Sequence, residues 1–270
     1  MRGLDVKEDA RLYEPAEPLW HIGNGRMLFA GCLHRNALHS HSAPVLLAGL
    51  YDDFELKIGD AAWFFCRMAV IRAGTAYEFN SAGRPLAVVY VEPNVASVEG
   101  LAALVGETRE VPGALIGMRG ELSMIRALYE DPDSPRWVGS AIDDLVDFSR
   151  GRSRRHMDRR IARAVEALTF NDESDGEDWQ EPRPSVLSAA QAAGLSASRF
   201  QHVFKDEVGV PYGRYLAWAR MRAALREVVA GSNFTRAAHV AGYCDQAHFA
   251  HDFRRTFGAP ASKSLSRLRR

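Results

Sequence analysis

Between residues 26 and 92 the apolar positions fall in short runs: MLFAGCL, PVLLAGLY, FELKIG, WFFCRMAVI and LAVVYVE. Turn signals separate them at Asn24-Gly25, Asp52-Asp53, Gly59-Asp60, Ala73-Gly74 and Gly83-Arg84-Pro85. Runs of this length at near-regular intervals predict the strands of a sandwich or small barrel. From Val98 to Arg150 the pattern turns helical, with helices expected over 97–106, 121–130 and 139–150 and a break at the DPDSP turn, 131–135, where two prolines cannot continue a helix. MDRRIARAVEALTF (157–170) sets Ile161, Val165 and Leu168 at helical spacing on one face. The acidic, proline-containing stretch NDESDGEDWQEPRP (171–184) reads as a solvated loop.

The remainder contains one structural phrase twice: Ser188-AAQAAGLSASRFQHVF-Lys205, then Thr235-RAAHVAGYCDQAHFAHDF-Arg254. In each, a helix of small residues runs into a glycine (Gly194, Gly242), and a polar residue (Ser196, Asp245) then caps a second helix. Aromatics follow on one face, Phe200 and Phe204 in the first copy and Phe249 and Phe253 in the second. Helix, glycine turn and capped helix make a helix-turn-helix, whose second helix suits the DNA major groove. The two units are expected at about 186–208 and 234–257. Between them a long helix is predicted over 212–230, opening after Pro211 and closing at Gly231. Its apolar positions, among them Tyr215, Trp218, Met221 and Leu225, would pack against both units, and Arg214, Arg220, Arg222 and Arg226 are expected at the surface or on phosphates.

On the first recognition helix Phe200, Val203, Phe204 and Val208 form the expected core face, leaving Ser198, Arg199, Gln201, His202 and Lys205 outward. On the second, Phe249, Phe253 and Phe257 are core, and Gln246, Ala247, Ala250, His251, Arg254 and Arg255 face out. Glutamine pairs bidentately with adenine, arginine and lysine reach guanine or phosphate, and small alanines allow close approach to a thymine methyl. His239 is expected to be packed or hydrogen-bonded, and His248 is compatible with either face.

The stretch from about Met157 to Ser264 resembles the DNA-binding domain of the AraC/XylS family of bacterial regulators. The resemblance is carried by AAGLSASRFQHVFKDEVGVPYGRYLAWARMRAAL (192–225) and FTRAAHVAGYCDQAHFAHDFRRTFGAPAS (234–262). It implies seven helices, two helix-turn-helix subdomains, and binding to asymmetric promoter sites, usually as an activator. By position, the family's base-reading places fall on Ser198, Gln201 and His202, then Gln246, Ala247, Ala250 and His251. Many relatives carry arginine where this chain has His251, which implies weaker or more pH-sensitive binding there.

A formal net charge of zero conceals a division. From Arg183 to Arg270 basic residues outnumber acidic ones 14 to 5, whereas the first 182 residues carry 20 basic against 29 acidic. The basic third is the part expected to meet polyphosphate. A further basic cluster, Arg152, Arg154, Arg155, Arg159 and Arg160, reads as a solvated helix start or a phosphate grip. Three cysteines without CxxC spacing indicate neither a zinc knuckle nor a disulfide framework. With no signal-peptide pattern and no apolar run of membrane length, a cytoplasmic location is expected.

The strand-rich N-terminal region, through LHSHSAPVLLAGLYDDFELKIGDA (38–61) and AVIRAGTAYEFNSAGRPLAVVYVEP (69–93), resembles the cupin-like barrel that many AraC-type regulators place before their DNA-binding domain. Such a barrel suits capture of one small molecule. Candidate pocket residues are His39, His41, Trp63, Phe65, Tyr77 and Tyr90. His39-Ser40-His41 has the spacing of a cupin metal motif, but Val45 and Leu46 stand where a carboxylate would follow, and Tyr77 stands near the place of the second-motif histidine. No metal and no cofactor is therefore expected. Cys32 and Cys66 are expected to be buried small hydrophobes, which leaves an alkyl-transfer repair sensor without its reactive thiol.

The fold class expected is α+β: a cupin-like β-barrel over residues 1–96 that binds an effector, a helical linker and dimerisation region over 97–155, and an all-α AraC-type DNA-binding domain over 156–270. The expected function is that of a non-enzymatic, homodimeric regulator, an activator in the first instance. Its partners would be double-stranded promoter DNA, RNA polymerase and a small-molecule effector. The competing readings are a constitutive dimeric DNA-binding protein and a metal-binding cupin sensor.

Overall fold

The computed structural model describes residues 16–150, 157–169 and 184–265. Ten short strands form two antiparallel sheets. The larger contains β1 (Leu19–Gly23), β2 (Arg26–Cys32), β3 (Val45–Gly49), β6 (Met68–Ile71), β8 (Pro85–Val91), β9 (Val105–Val111) and β10 (Ala114–Gly120) in the order β1-β2-β8-β3-β6-β10-β9. The smaller runs β5 (Phe64–Cys66), β4 (Phe54–Ile58), β7 (Tyr77–Asn80).

The central strands are apolar on both faces because both faces are covered. Met27, Phe29, Val45, Leu47, Ile71, Val88 and Tyr90 point inward to meet Phe54, Leu56, Tyr77 and Phe79 of the smaller sheet. The alternate set, Leu28, Leu46, Met68, Val70, Val89 and Val91, lies beneath helices α1 (Val98–Ala102), α2 (Ser123–Glu130) and α3 (Val138–Arg150) through Leu101, Ile125, Leu128, Ile142 and Val146. Period-two side-chain alternation thus divides each strand between two cores.

Residues 97–106, expected to be helical throughout, hold only the short α1, and residues 105–120 form the hairpin β9–β10, whose second strand pairs with β6. The strand-bearing region therefore runs to Gly120. Strand β9 is an edge with four consecutive exposed residues, so it lacks the apolar alternation by which a strand is read. The run WFFCRMAVI divides at Arg67 into β5 and β6, which belong to different sheets. The Arg67 guanidinium donates to the backbone carbonyls of Leu50 and Tyr51 at 3.1 and 2.6 Å.

The C-terminal part is helical: α4 (Arg159–Glu166), α5 (Val186–Ala192), α6 (Ala197–Val208), α7 (Tyr212–Val229), α8 (Phe234–Val240), α9 (Gln246–Phe257) and α10 (Ala261–Ser264). Side-chain oxygens cap the four helices of the two units. Ser185 accepts from the Ser188 amide at 3.1 Å, Ser196 from Arg199 at 3.3 Å, Asn233 from Arg236 at 2.8 Å and Asp245 from His248 at 2.7 Å. Recognition helices α6 and α9 both end in a left-handed glycine, Gly209 and Gly258. Gly258 also approaches the barrel so closely that a Cβ there would lie 2.4 Å from the Ala37 carbonyl oxygen. Helix α7 is buried on most of its circumference, and one continuous apolar cluster joins it to α5, α6, α8, α9 and the barrel interior. Among the described residues no helix is long and apolar enough to cross a membrane.

Candidate functional site

The outward set on α6, Ser198, Arg199, Gln201, His202 and Lys205, is exposed, and Phe200, Phe204 and Val208 are buried opposite it. On α9, Gln246, Ala247, His251, Arg254 and Arg255 are exposed, Ala250 is half-buried, and Phe249, Phe253 and Phe257 are buried. Both faces stay open although the domain is packed on the barrel. Gln246 accepts from the Thr235 hydroxyl of α8 at 3.1 Å, which ties the start of the second recognition helix to its supporting helix.

Asp252, buried on the inner side of α9, gathers the basic groups around it. Arg220 of α7 lies 3.3 Å away, Arg255 3.5 Å, His251 3.7 Å and His248 3.8 Å. Arg220 also covers the ring of Tyr243 at 4.4 Å. Arg255 thereby lines the crevice between the two domains together with Arg214 and Trp218. His239, expected to be packed, is exposed on α8. His248 is half-buried, its ring edge-on to Tyr243 at 5.1 Å.

In the barrel, His39, His41, Tyr77 and Tyr90 come together. The two imidazoles are 4.8 Å apart, and His41 lies 4.8 Å from Tyr90. Tyr77 bonds to His41 Nδ1 at 3.0 Å, and His39 Nδ1 bonds to the Ala37 carbonyl at 2.9 Å. Trp63 is not part of this cluster: half-buried in the loop before β5, it lies 5.0 Å beneath the Arg35 guanidinium. Phe65 faces solvent, 61% exposed, because the strand's alternation turns its neighbours inward. Arg152, Arg154 and Arg155 lie outside the described residues, and Arg160 is exposed and paired with Asp158 at 2.7 Å.

Burial in an apolar setting disfavours the charged imidazole, pushing His39 down to about 4 despite its bond to the Ala37 carbonyl, and His41 well below its ordinary value. Neutral imidazoles could ligate a metal, but among the described residues no group of three or more His, Cys, Asp or Glu is placed to hold one. Cys66 is fully buried and its thiol is pushed up to about 12 by burial, which removes its nucleophilic form. Cys32, expected to be buried, is half-buried with its Sγ 3.8 Å from the Tyr129 hydroxyl.

A pH dependence follows. The unfolded chain protonates His39 near its ordinary value of 6.5, the folded chain only near 4. The unfolded state therefore binds more protons between those values, and stability is intact above about pH 6.5 and lost as pH falls toward 4. His39 alone is expected to contribute a loss of about 2 kcal/mol at pH 5, with His41 adding in the same direction. Thermal unfolding at pH 7 and pH 5 checks this, because His39→Asn should flatten the dependence. Equal slopes for wild type and variant would contradict it.

Sequence reasoning missed the group that joins the two domains. Arg222, expected at the surface, is 3% exposed, and its Nη1 donates to Glu92 at 2.7 Å while its Nη2 reaches the Gly23 carbonyl at 3.2 Å. Glu92, one residue past β8 and 2% exposed, also accepts from the Tyr215 hydroxyl and from Trp218 Nε1 at 2.9 Å. The local hint was the run of apolar residues on both sides of Arg222 in α7, Ala219, Met221, Ala223, Ala224 and Leu225. At the other side of the barrel mouth, Trp20 Nε1 donates to the Ser264 carbonyl at 2.9 Å and the Ala37 amide to Gly258 at 2.9 Å.

Comparison with known proteins agrees with this architecture. A sequence-family profile described as a helix-turn-helix domain matches residues 189–267. No curated protein sequence gives a significant match. Among solved structures, ToxT from Vibrio cholerae with an unsaturated fatty acid bound is similar at a TM-score of 0.54 and 10% identity, over 92% of this chain and 97% of ToxT. An apo variant of ToxT aligns at 0.55 and 9% identity, over 91% and 98%. The protein is thus of mixed α+β class, a sheet-rich N-terminal domain followed by a helical C-terminal one, with the fold of ToxT over nearly its whole described length. Its C-terminal domain holds a helix-turn-helix domain over residues 189–267.

Proposed function

We propose that the protein reads promoter DNA with α6 and α9 in successive major grooves, and that a small molecule entering the N-terminal barrel modulates this binding. The reading rests chiefly on one observation: the outward faces of both capped helices are exposed while their inner faces share a single core with the barrel. Helix α7 is the rigid spacer, and a separation of about 34 Å between the recognition helices suits adjacent grooves on one side of a duplex. The ToxT structure with bound unsaturated fatty acid supports a small-molecule role for this fold. In this reading helices α2 and α3, which follow the last strand, form the linker and homodimer contact, RNA polymerase is the partner of an activator, the protein is cytoplasmic, and it catalyses no reaction.

Gln201 and Gln246 are assigned to base edges, with Ser198, His202, Ala247, Ala250 and His251 beside them. Arg199, Lys205, Arg254 and Arg255 are assigned to phosphates. Gln201→Ala or Gln246→Ala should change base preference at a single position by about 1–3 kcal/mol. Lys205→Ala or Arg254→Ala should weaken all sequences alike and reduce the salt slope by about 0.9 each. Band-shift titrations on matched and mismatched promoter fragments at two salt concentrations separate these outcomes. A correctly folded protein with no preference between promoter and random DNA would end the proposal. The constitutive alternative is favoured by one fact, that the cleft between Trp20, Tyr90 and Phe257 at the barrel mouth measures only about 70 Å³. Genome-wide mapping of bound DNA with and without candidate effectors distinguishes the two.

A further inference from the structure

The groups that fill the barrel mouth belong to the DNA-binding domain. The Trp218 ring lies 5.5 Å from Tyr90 and 5.7 Å from His41. Phe257, the last residue of α9, lies 5.4 Å from His41, 5.9 Å from Tyr90 and 6.2 Å from Trp20. The residual cavity of about 70 Å³ is bounded by Phe253 and Phe257 as well as by barrel residues. A site for a drug-sized molecule ordinarily offers roughly 300–1,000 Å³. An effector held between Trp20, Tyr90 and His39 would take space that these rings occupy.

The polar chemistry of the mouth narrows what can replace them. Glu92 is buried and carries three donors, the Tyr215 hydroxyl, the Trp218 indole N–H and the Arg222 guanidinium, and all three stand on α7. When α7 withdraws they leave together. The carboxylate then lacks all three of these donors, and a cationic N–H donor can replace them where an anionic or purely hydrocarbon occupant cannot. His41 Nε2, also buried, has no hydrogen-bond partner among the described residues. The aromatic walls Tyr90, Trp20 and Tyr77 suit a flat ring and favour a cation beside their faces.

We propose that Trp218 and Phe257 act as an internal ligand of the barrel, and that the effector is an aromatic molecule bearing an ammonium group, which takes the place of the indole beside Tyr90 and His41 and offers its N–H to Glu92. Effector and docked DNA-binding domain then exclude one another. This rests on the reading of the barrel as an effector site. It adds the ligand class and the direction of the change: the effector releases α7 and α9 from the barrel instead of clamping them to it. The DNA-reading faces are exposed in the docked arrangement, so docking fixes the relative placement of the two helices and does not mask them.

Tryptamine is the probe, with indole-3-acetate as the same ring carrying the opposite charge. The full chain is labelled with fluorotryptophan, and the Trp218 fluorine resonance is assigned with Trp218→Phe. Tryptamine should move that resonance saturably toward its solvent-exposed position, and indole-3-acetate should bind roughly tenfold more weakly or less. In Trp218→Ala the ligand no longer displaces the indole, and calorimetry should show tryptamine binding roughly tenfold more tightly than to wild type. Phe257→Ala provides the same release if the first variant does not fold. Glu92→Gln should abolish the preference for tryptamine over indole-3-acetate. Folded plug variants that bind tryptamine no better than wild type, or equal affinity for the two probes in wild type, would overturn the proposal. A small molecule that binds in the barrel while the Trp218 resonance stays fixed would overturn the mutual exclusion and leave the effector reading standing. Loss of promoter preference in band shifts is a separate observable and bears on that reading alone.

Discussion

Glu92→Ala is expected to destabilise the full chain by about 3–5 kcal/mol, because breaking one side of a buried ion pair leaves the other charge without compensation. Arg222 would keep its bond to the Gly23 carbonyl but lose its carboxylate, and the Tyr215 hydroxyl and Trp218 N–H would lose their shared acceptor. For a chain of this size the unfolding midpoint should fall by roughly 10 °C. The site couples two domains, so the loss should also divide a single thermal transition into two, with the helical domain and the barrel unfolding separately. Glu92→Gln, which keeps an acceptor oxygen, should fall between the variant and wild type. In a double-mutant cycle with Arg222→Met the second substitution should add little, since the stranded charge is gone. A midpoint for Glu92→Ala unchanged from wild type would show that the pair is not what holds the domains together.

Phe204→Ala has an effect of similar size by a different route. The ring is fully buried on α6, 5.6 Å from Phe200, 5.1 Å from Tyr212 and 5.6 Å from Tyr215. Removing it leaves a cavity at the junction of α6 and α7, and Phe→Ala at such a site costs about 3–5 kcal/mol. Phe204→Leu, which refills most of the volume, should cost less. Because α6 is held on its scaffold by this aromatic stripe, footprinting should show protection lost over the groove read by α6 and retained over that read by α9. Full protection at both grooves with unchanged urea unfolding would contradict the assignment of Phe204 to this core.

Much of the C-terminal part could be read from local pattern. Ser196 and Asp245 cap as their positions predicted, the two glycines stand in the turns, and Phe200, Phe204, Phe249, Phe253 and Phe257 are buried at the expected spacing. Helix periodicity and capping act within four residues, so one strand of sequence contains both partners. Val203, read as core, is only half-buried, because the stripe of α6 is narrower than its apolar residues suggest. The barrel was legible where a strand is apolar and obscure where it is not. The edge strand β9 carries too much polarity to stand out, although it completes a sheet.

Two helix-turn-helix units, a connecting helix and a set of apolar strands ahead of them are thus properties of this chain's sequence alone, because turns, caps and periodicity depend on near neighbours. The joining of Glu92 to Arg222 across 130 residues, the neutrality of His39 and His41, the outward turn of Phe65 and the closing of the barrel by Trp218 and Phe257 were decided only by the tertiary structure. Each depends on which distant group removes water from a side chain, and desolvation is set by the packed whole and not by any local stretch of chain.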